Sequence, residues 1–185
     1  MTKPTPALLI VDMFSKLDFP QAEALESSAL AAAQAIAVLR EHFHALGLPV
    51  IYANDNFADW QMDFKELVQV CLKSEGTPAT IARLLSPGSQ DYFVLKPKHS
   101  AFLATPLPVL LAKLGCDQLI VTGMAADSCI AATCFDSNAR EYDTVVVKEA
   151  VAGIGSTKGR ALRMLEESST VTLMTLKSLL SKFTH

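Results

Sequence analysis

Three side chains able to do chemistry stand just beyond apolar runs of this chain. Asp12 follows Leu8–Val11, Lys96 follows Tyr92–Leu95, and Cys129 lies a short turn beyond Leu119–Thr122. A carboxylate, an amine and a thiol are the parts needed for nucleophilic attack on a carbonyl-type carbon. Cys129 would attack. Asp12 would take the thiol proton and return it to a leaving nitrogen. Lys96 would hold the two anions close and keep them charged. Cys129 falls in the expected first turn of a helix, where unpaired backbone N–H groups and the helix dipole favour thiolate over thiol. Each residue also has a plainer reading. A lone cysteine is commonly a small buried apolar group, a strand-terminal aspartate is often a loop cap, and a lysine after a strand is usually solvated.

The elements that must position these residues follow from hydrophobic periodicity. Continuous apolar runs predict strands buried on both faces at Leu8–Val11, Pro49–Ala53, Tyr92–Leu95, Leu119–Thr122, Thr144–Val147 and Val171–Met174. Helices are predicted over Gln21–Leu46, within Phe57–Ser74, and over Thr80–Leu85 after a break at Gly76-Thr77-Pro78. Others are expected over Pro106–Leu114, from Asp127 to about Asn138, from Ser156 or Thr157 to Glu167, and over Leu176–Phe183. Strands alternating with helices predict an α/β fold: a three-layer, doubly wound, six-stranded and mainly parallel sheet with helices on both faces, Rossmann-like, in a single domain over residues 1–185. In such sheets ligands bind beyond the carboxyl ends of the strands, where the strand order reverses. The segments to inspect are therefore Asp12, Asn54-Asp55-Asn56, Lys96-Pro97-Lys98, Gly123 to Cys129, and Lys148-Glu149.

Composition narrows the function classes. Half of the 185 residues are hydrophobic and 19% are charged, the net charge is −3, and no basic run occurs. Neither nucleic acid nor a membrane surface is expected as partner. The N-terminal apolar run, Ala7–Val11, is short for a signal segment, and no apolar stretch approaches the ~18–20 residues of a membrane span. Cys71, Cys116, Cys129 and Cys134 are irregularly spaced, with no Cys-x-x-Cys or Cys/His zinc pattern. Free thiols in a cytoplasmic protein are the simplest account.

Three blocks of sequence carry a resemblance: ALLIVDM (residues 7–13), VLKPKHSAF (94–102) and VTGMAADSCIAATCFDS (121–137). In this order and spacing they resemble the isochorismatase-like cysteine hydrolase family, which includes nicotinamidases, N-carbamoylsarcosine amidases and isochorismatases. The resemblance runs from Ala7 to about Met174. It implies an Asp12–Lys96–Cys129 triad, favouring Lys96 over Lys98, which stays a candidate second cation. It also implies a non-proline cis peptide between Met124 and Ala125, with the Ala125 and Cys129 N–H groups forming an oxyanion hole. The chain departs from the family pattern at Ala126 (Thr in the family), at Phe14 (commonly Gln) and at His99 (often Tyr). Nicotinamidases hold a metal through an Asp and two His after the second strand. Here that loop reads Asn54-Asp55-Asn56-Phe57, while His42, His44 and His185 lie elsewhere, so neither a metal nor another cofactor is expected. Phe14, Trp60 and His99 are expected to line an apolar, partly aromatic substrate pocket. The implied activity is hydrolysis of an amide or carbamoyl C–N bond of a small molecule through a Cys129 thioester, in a homo-oligomer. The competing readings are vinyl-ether hydrolysis with Asp12 as general acid, and a non-catalytic binding module on the same fold.

Overall fold

The structure, a computed structural model, describes residues 5–57 and 60–183. The N-terminal Met1–Pro4 and the terminal His185 lie outside the described residues. Six strands form one sheet: β1 (Pro6–Val11), β2 (Val50–Asp55), β3 (Tyr92–Lys96), β4 (Gln118–Gly123), β5 (Asp143–Val151) and β6 (Thr172–Met174). Every pairing is parallel, and the order is β3-β2-β1-β4-β5-β6. The chain winds outward from β1 through β2 to β3. It then returns to the other side of β1 and winds outward again through β4, β5 and β6. The order reverses between β1 and β4, so a crevice opens at their carboxyl ends.

The helices are α1 (Ala22–Ala45), α2 (Phe64–Lys73), α3 (Gly76–Leu84), α4 (Leu107–Leu114), α5 (Ala131–Asn138), α6 (Thr157–Glu167) and α7 (Leu176–Lys182). Alternate residues of β1 show why its run is apolar throughout. Leu8 and Ile10 join the core under α1, α2, α3 and α7, while Ala7, Leu9 and Val11 join the core under α4, α5 and α6. α1 is long and apolar enough, by length and composition, to cross a membrane. Its apolar face is instead packed in the first of these cores, with Leu25, Ala29, Ile36, Leu39 and Phe43 buried there.

Local differences from the sequence-based expectations have physical causes. α3 starts at Gly76 because Pro78 falls in its first turn, where no N–H is needed. α2 starts only at Phe64, behind a capping box in which Asp63 accepts from the Glu66 N–H and Glu66 accepts from the Asp63 N–H. Trp60 therefore precedes the helix, and it is 68% exposed. The helix expected from Asp127 begins as a π-type turn over Ala126–Ile130, closed by the Ile130 N–H donating to the Ala125 carbonyl, and becomes α-helical at Ala131.

Candidate active site

Asp12 is the first residue after β1. Its backbone N–H continues the ladder by donating to the Ala53 carbonyl at 3.0 Å, and then the chain leaves the sheet with φ 54°. The carboxylate is held from two sides. Oδ1 accepts the Asp55 N–H at 2.8 Å, and Oδ2 pairs with Lys96 Nζ at 2.7 Å. Lys96 closes β3, and its side chain is only 1% exposed. Beyond Asp12, Nζ donates to the Lys98 carbonyl at 2.8 Å and to Cys129 Sγ at 3.6 Å. The Cys129 thiol in turn donates to the Asp12 carboxylate. The residues named from the first, third and fourth strand ends thus meet at one point, and the lysine that meets them is Lys96 rather than Lys98.

Gly123 makes the approach of β4 to β1 feasible. It has φ +114°, and a Cβ there would sit 2.0 Å from the Val11 carbonyl oxygen, well inside contact distance. With hydrogen at that position, the Met124 N–H donates to Val11 O at 3.0 Å, and the turn is tied to β5 by the Ala126 N–H donating to Ala152 O at 2.8 Å. The Met124–Ala125 peptide is cis. The half-buried Cys129 lies in the π-type turn that follows, so its sulfur sits over the crevice between β1 and β4.

The electrostatics differ from the expectation that the helix N-terminus makes Cys129 a thiolate. Burial, and next the Asp12 charge, push the Cys129 thiol up to about 12; Lys96 opposes this only in part. Burial also holds the Asp12 carboxyl above the ordinary carboxylate range, against the pull of Lys96. Burial and the Asp12 charge together outweigh Lys96, so the thiol form is favoured beside a proton acceptor.

A cavity of about 580 Å³ opens over these groups. Met124, Ala125 and Cys129 are part of its lining, and Phe19, Leu25, Phe57 and Ile154 give it an apolar side. His99 also lines it, with Nδ1 3.7 Å from Cys129 Sγ. Phe14 borders it, but its ring is 1% exposed and packs with Tyr52 and Phe64, at centroid distances of 5.6 Å to each. Trp60 is not among the lining residues; the expectation that it lines the pocket is corrected by its exposed place ahead of α2. The sequence reading missed the role of Asn54. Its amide accepts the Phe14 N–H at 3.0 Å and donates to the Phe14 carbonyl at 2.8 Å, fixing the loop that leaves Asp12. Its place directly after an apolar strand was the available signal. Phe57 and Ile154 follow β2 and β5 in the same way.

At the end of β2 the side chains of Asn54 and Asp55 bond to the protein's own backbone. The Asn54 amide is committed to Phe14, and Asp55 Oδ1 accepts the Phe57 N–H at 2.6 Å. Among the described residues no group of three or more His, Cys, Asp or Glu is placed to hold an ion.

The family model of the Isochorismatase domain matches residues 6–178. The chain belongs to the isochorismatase family. It is similar to an uncharacterised isochorismatase family protein, YaaI, of Bacillus subtilis, with 34% identity over 98% of this chain and all of that protein. It is also similar to maleamate amidohydrolase of Pseudomonas putida, with 28% identity over 79% of this chain and 71% of that enzyme. Among solved structures, an isochorismatase family protein from Desulfovibrio vulgaris superposes with a TM-score of 0.76 at 26% identity, covering 99% of this chain and all of that one. This isochorismatase-family hydrolase thus shares its fold along essentially its whole length with that structure.

Proposed function

We propose that this hydrolase cleaves the C–N bond of a small amide or carbamoyl compound through a thioester on Cys129. The observation that carries the reading is the meeting of Asp12, Lys96 and Cys129 on the floor of one cavity at the strand-order reversal. Amidohydrolase activity in a named relative supports the bond type.

Because the resting sulfur is protonated, attack is coupled to proton transfer. The thiol proton passes to Asp12 as Sγ bonds to the carbonyl carbon, and the carbonyl π pair moves to oxygen. The Ala125 and Cys129 N–H groups serve that oxyanion. Asp12 then gives the proton to the nitrogen as the C–N bond breaks and the amine or ammonia leaves. In the second half, water attacks the thioester and its proton passes to Asp12. The C–S bond breaks, and Asp12 returns the proton to sulfur. Lys96 is the fixed cation that faces whichever partner carries the negative charge.

The test is a panel of maleamate, simple primary amides and N-carbamoyl amino acids, run with the wild type and with Cys129→Ala. At least one C–N substrate should turn over in the wild type and be lost by ~10³-fold or more in the variant. Turnover of a C–N substrate that survives in Cys129→Ala would refute the thioester route. No turnover of any C–N compound, with slow alkylation of Cys129, would favour a binding role.

A further inference from the structure

We propose that His99 is a second proton acceptor for the Cys129 thiol, facing it from the solvent side of the cavity. The inference rests on the reading of Cys129 as nucleophile and adds a group that this reading does not use. Asp12, Lys96, Ser128 and His99 reach Sγ with polar side chains, and Ser128 acts on it as a donor. Lys96 can only donate. Asp12 and Lys96 lie at the floor, with side chains 14% and 1% exposed. His99 is exposed and presents Nδ1 at 3.7 Å. A neutral imidazole has one ring nitrogen free to accept, so Asp12 and His99 are the groups at the sulfur that can take its proton, and His99 is the one in contact with water.

His99 is held in this position from both sides. The preceding residue, Lys98, accepts Lys96 Nζ on its carbonyl at 2.8 Å. On the other side the Ser100 hydroxyl donates to Asp136 Oδ2 at 2.5 Å, and the Ala101 N–H donates to Thr133 Oγ1 at 3.1 Å, both on α5. The ring is thus carried on a short segment pinned to the triad and to the helix that follows Cys129. The charges sharing the cavity favour the imidazolium that would form. From the strand ends and the π-type turn come Asp12, Asp55, Asp127 and Lys96, and from the flanking loops come Asp18, Lys16 and Lys98. Carboxylates outnumber ammonium groups there.

In the step itself the S–H bond breaks, an Nδ1–H bond forms, and the electron pair stays on sulfur. The result is a thiolate beside an imidazolium. The proton then returns to sulfur, leaves to water through the exposed ring, or passes to the departing nitrogen in parallel with the route through Asp12.

The test is the pH dependence of Cys129 alkylation by iodoacetamide in the intact protein, located by peptide mass. Cys71, Cys116 and Cys134 are buried, and His42 and His44 lie on α1 outside the cavity. In the wild type the rate should show, below the titration of the Cys129 thiol itself, an added rise where the group that accepts from sulfur loses its own proton. His99→Gln keeps a hydrogen-bonding amide at an exposed position but cannot titrate. It should lose that rise and alkylate about tenfold more slowly near neutral pH, a loss below the ~10²–10⁴ of a sole general base because Asp12 remains. A rise belonging to Asp12 would persist in His99→Gln, and superimposable profiles would overturn the proposal. This readout needs no substrate. Full turnover by Cys129→Ala would refute the nucleophile reading, whereas an unchanged His99→Gln profile with an inactive Cys129→Ala would refute only the role of His99.

Discussion

At the residue scale, the site is set by who neighbours the sulfur. Asp12 both receives the thiol proton and, as a nearby negative charge, helps push the thiol up to about 12. Asp12→Asn should therefore split two measurements. Turnover should fall by ~10²–10⁴-fold because the group that serves both the thiol and the thioester water is gone, while the thiolate absorbance of Cys129 should titrate at lower pH, since a source of its upward shift is removed. An unmoved midpoint would mean that Asp12 does not act on the sulfur. Lys96→Ala should leave Asp12 buried without its cation and cost about 3–5 kcal/mol in denaturant unfolding. Asp12, Lys96 and Cys129 were legible as candidates because each lies just beyond an apolar run that reads as a strand, and the family resemblance singled out Lys96 over Lys98. The thiol's protonation was not legible: how deeply a crevice desolvates a helix-end cysteine depends on what closes over it. Trp60 misled for a similar reason, since a large aromatic in a loop carries no mark of which way it faces.

At the element scale, two connections aim the chemistry. Gly123 lets β4 end against Val11, and Gly123→Ala would force a Cβ into a backbone oxygen at 2.0 Å as well as strain a positive φ. The strain alone is worth about 1–3 kcal/mol, and the overlap adds to it. The variant should unfold at markedly lower denaturant, or displace the Met124–Cys129 turn and lose activity while folded. A variant of wild-type stability and activity would contradict the close approach. Asn54→Ala removes both bonds to Phe14 and should cost about 1–3 kcal/mol, with activity lowered by a looser Asp12 loop. Element types were read well from periodicity, whereas the start of α3 and the π-type turn were not. Gly-Thr-Pro reads as a break, yet proline is at home in a first helical turn. A π-type turn comes from one backbone bond, Ile130 to Ala125, which no side-chain pattern announces.

At the scale of the whole molecule, the alternation of strands and helices dictates a parallel sheet, because each crossover returns the chain to the same end. The order β3-β2-β1-β4-β5-β6 is a further fact, since nothing in the local pattern says which edge the chain returns to after β3. The same core that carries the sheet holds several acidic groups protonated. Burial raises Cys134 from 9.0 to about 12, Cys71 from 9.0 to about 11 and Tyr52 from 10.0 to about 12. The folded state grips these protons more tightly than the unfolded chain does. Their contribution to stability is therefore complete below about pH 9 and is lost as pH rises through 11 to 12. Denaturation midpoints should be level near neutrality and fall steeply on the alkaline side; a flat alkaline series would mean that these groups are solvated.

The covalent bond to Cys129 is tested by mass spectrometry of the enzyme quenched during turnover of a C–N substrate. An added mass equal to the substrate's acyl or carbamoyl part should be found on the peptide bearing Cys129 and be absent from Cys129→Ala, which should not turn over. Sustained turnover by Cys129→Ala, or an adduct carried by any other residue, would contradict a bond to Cys129.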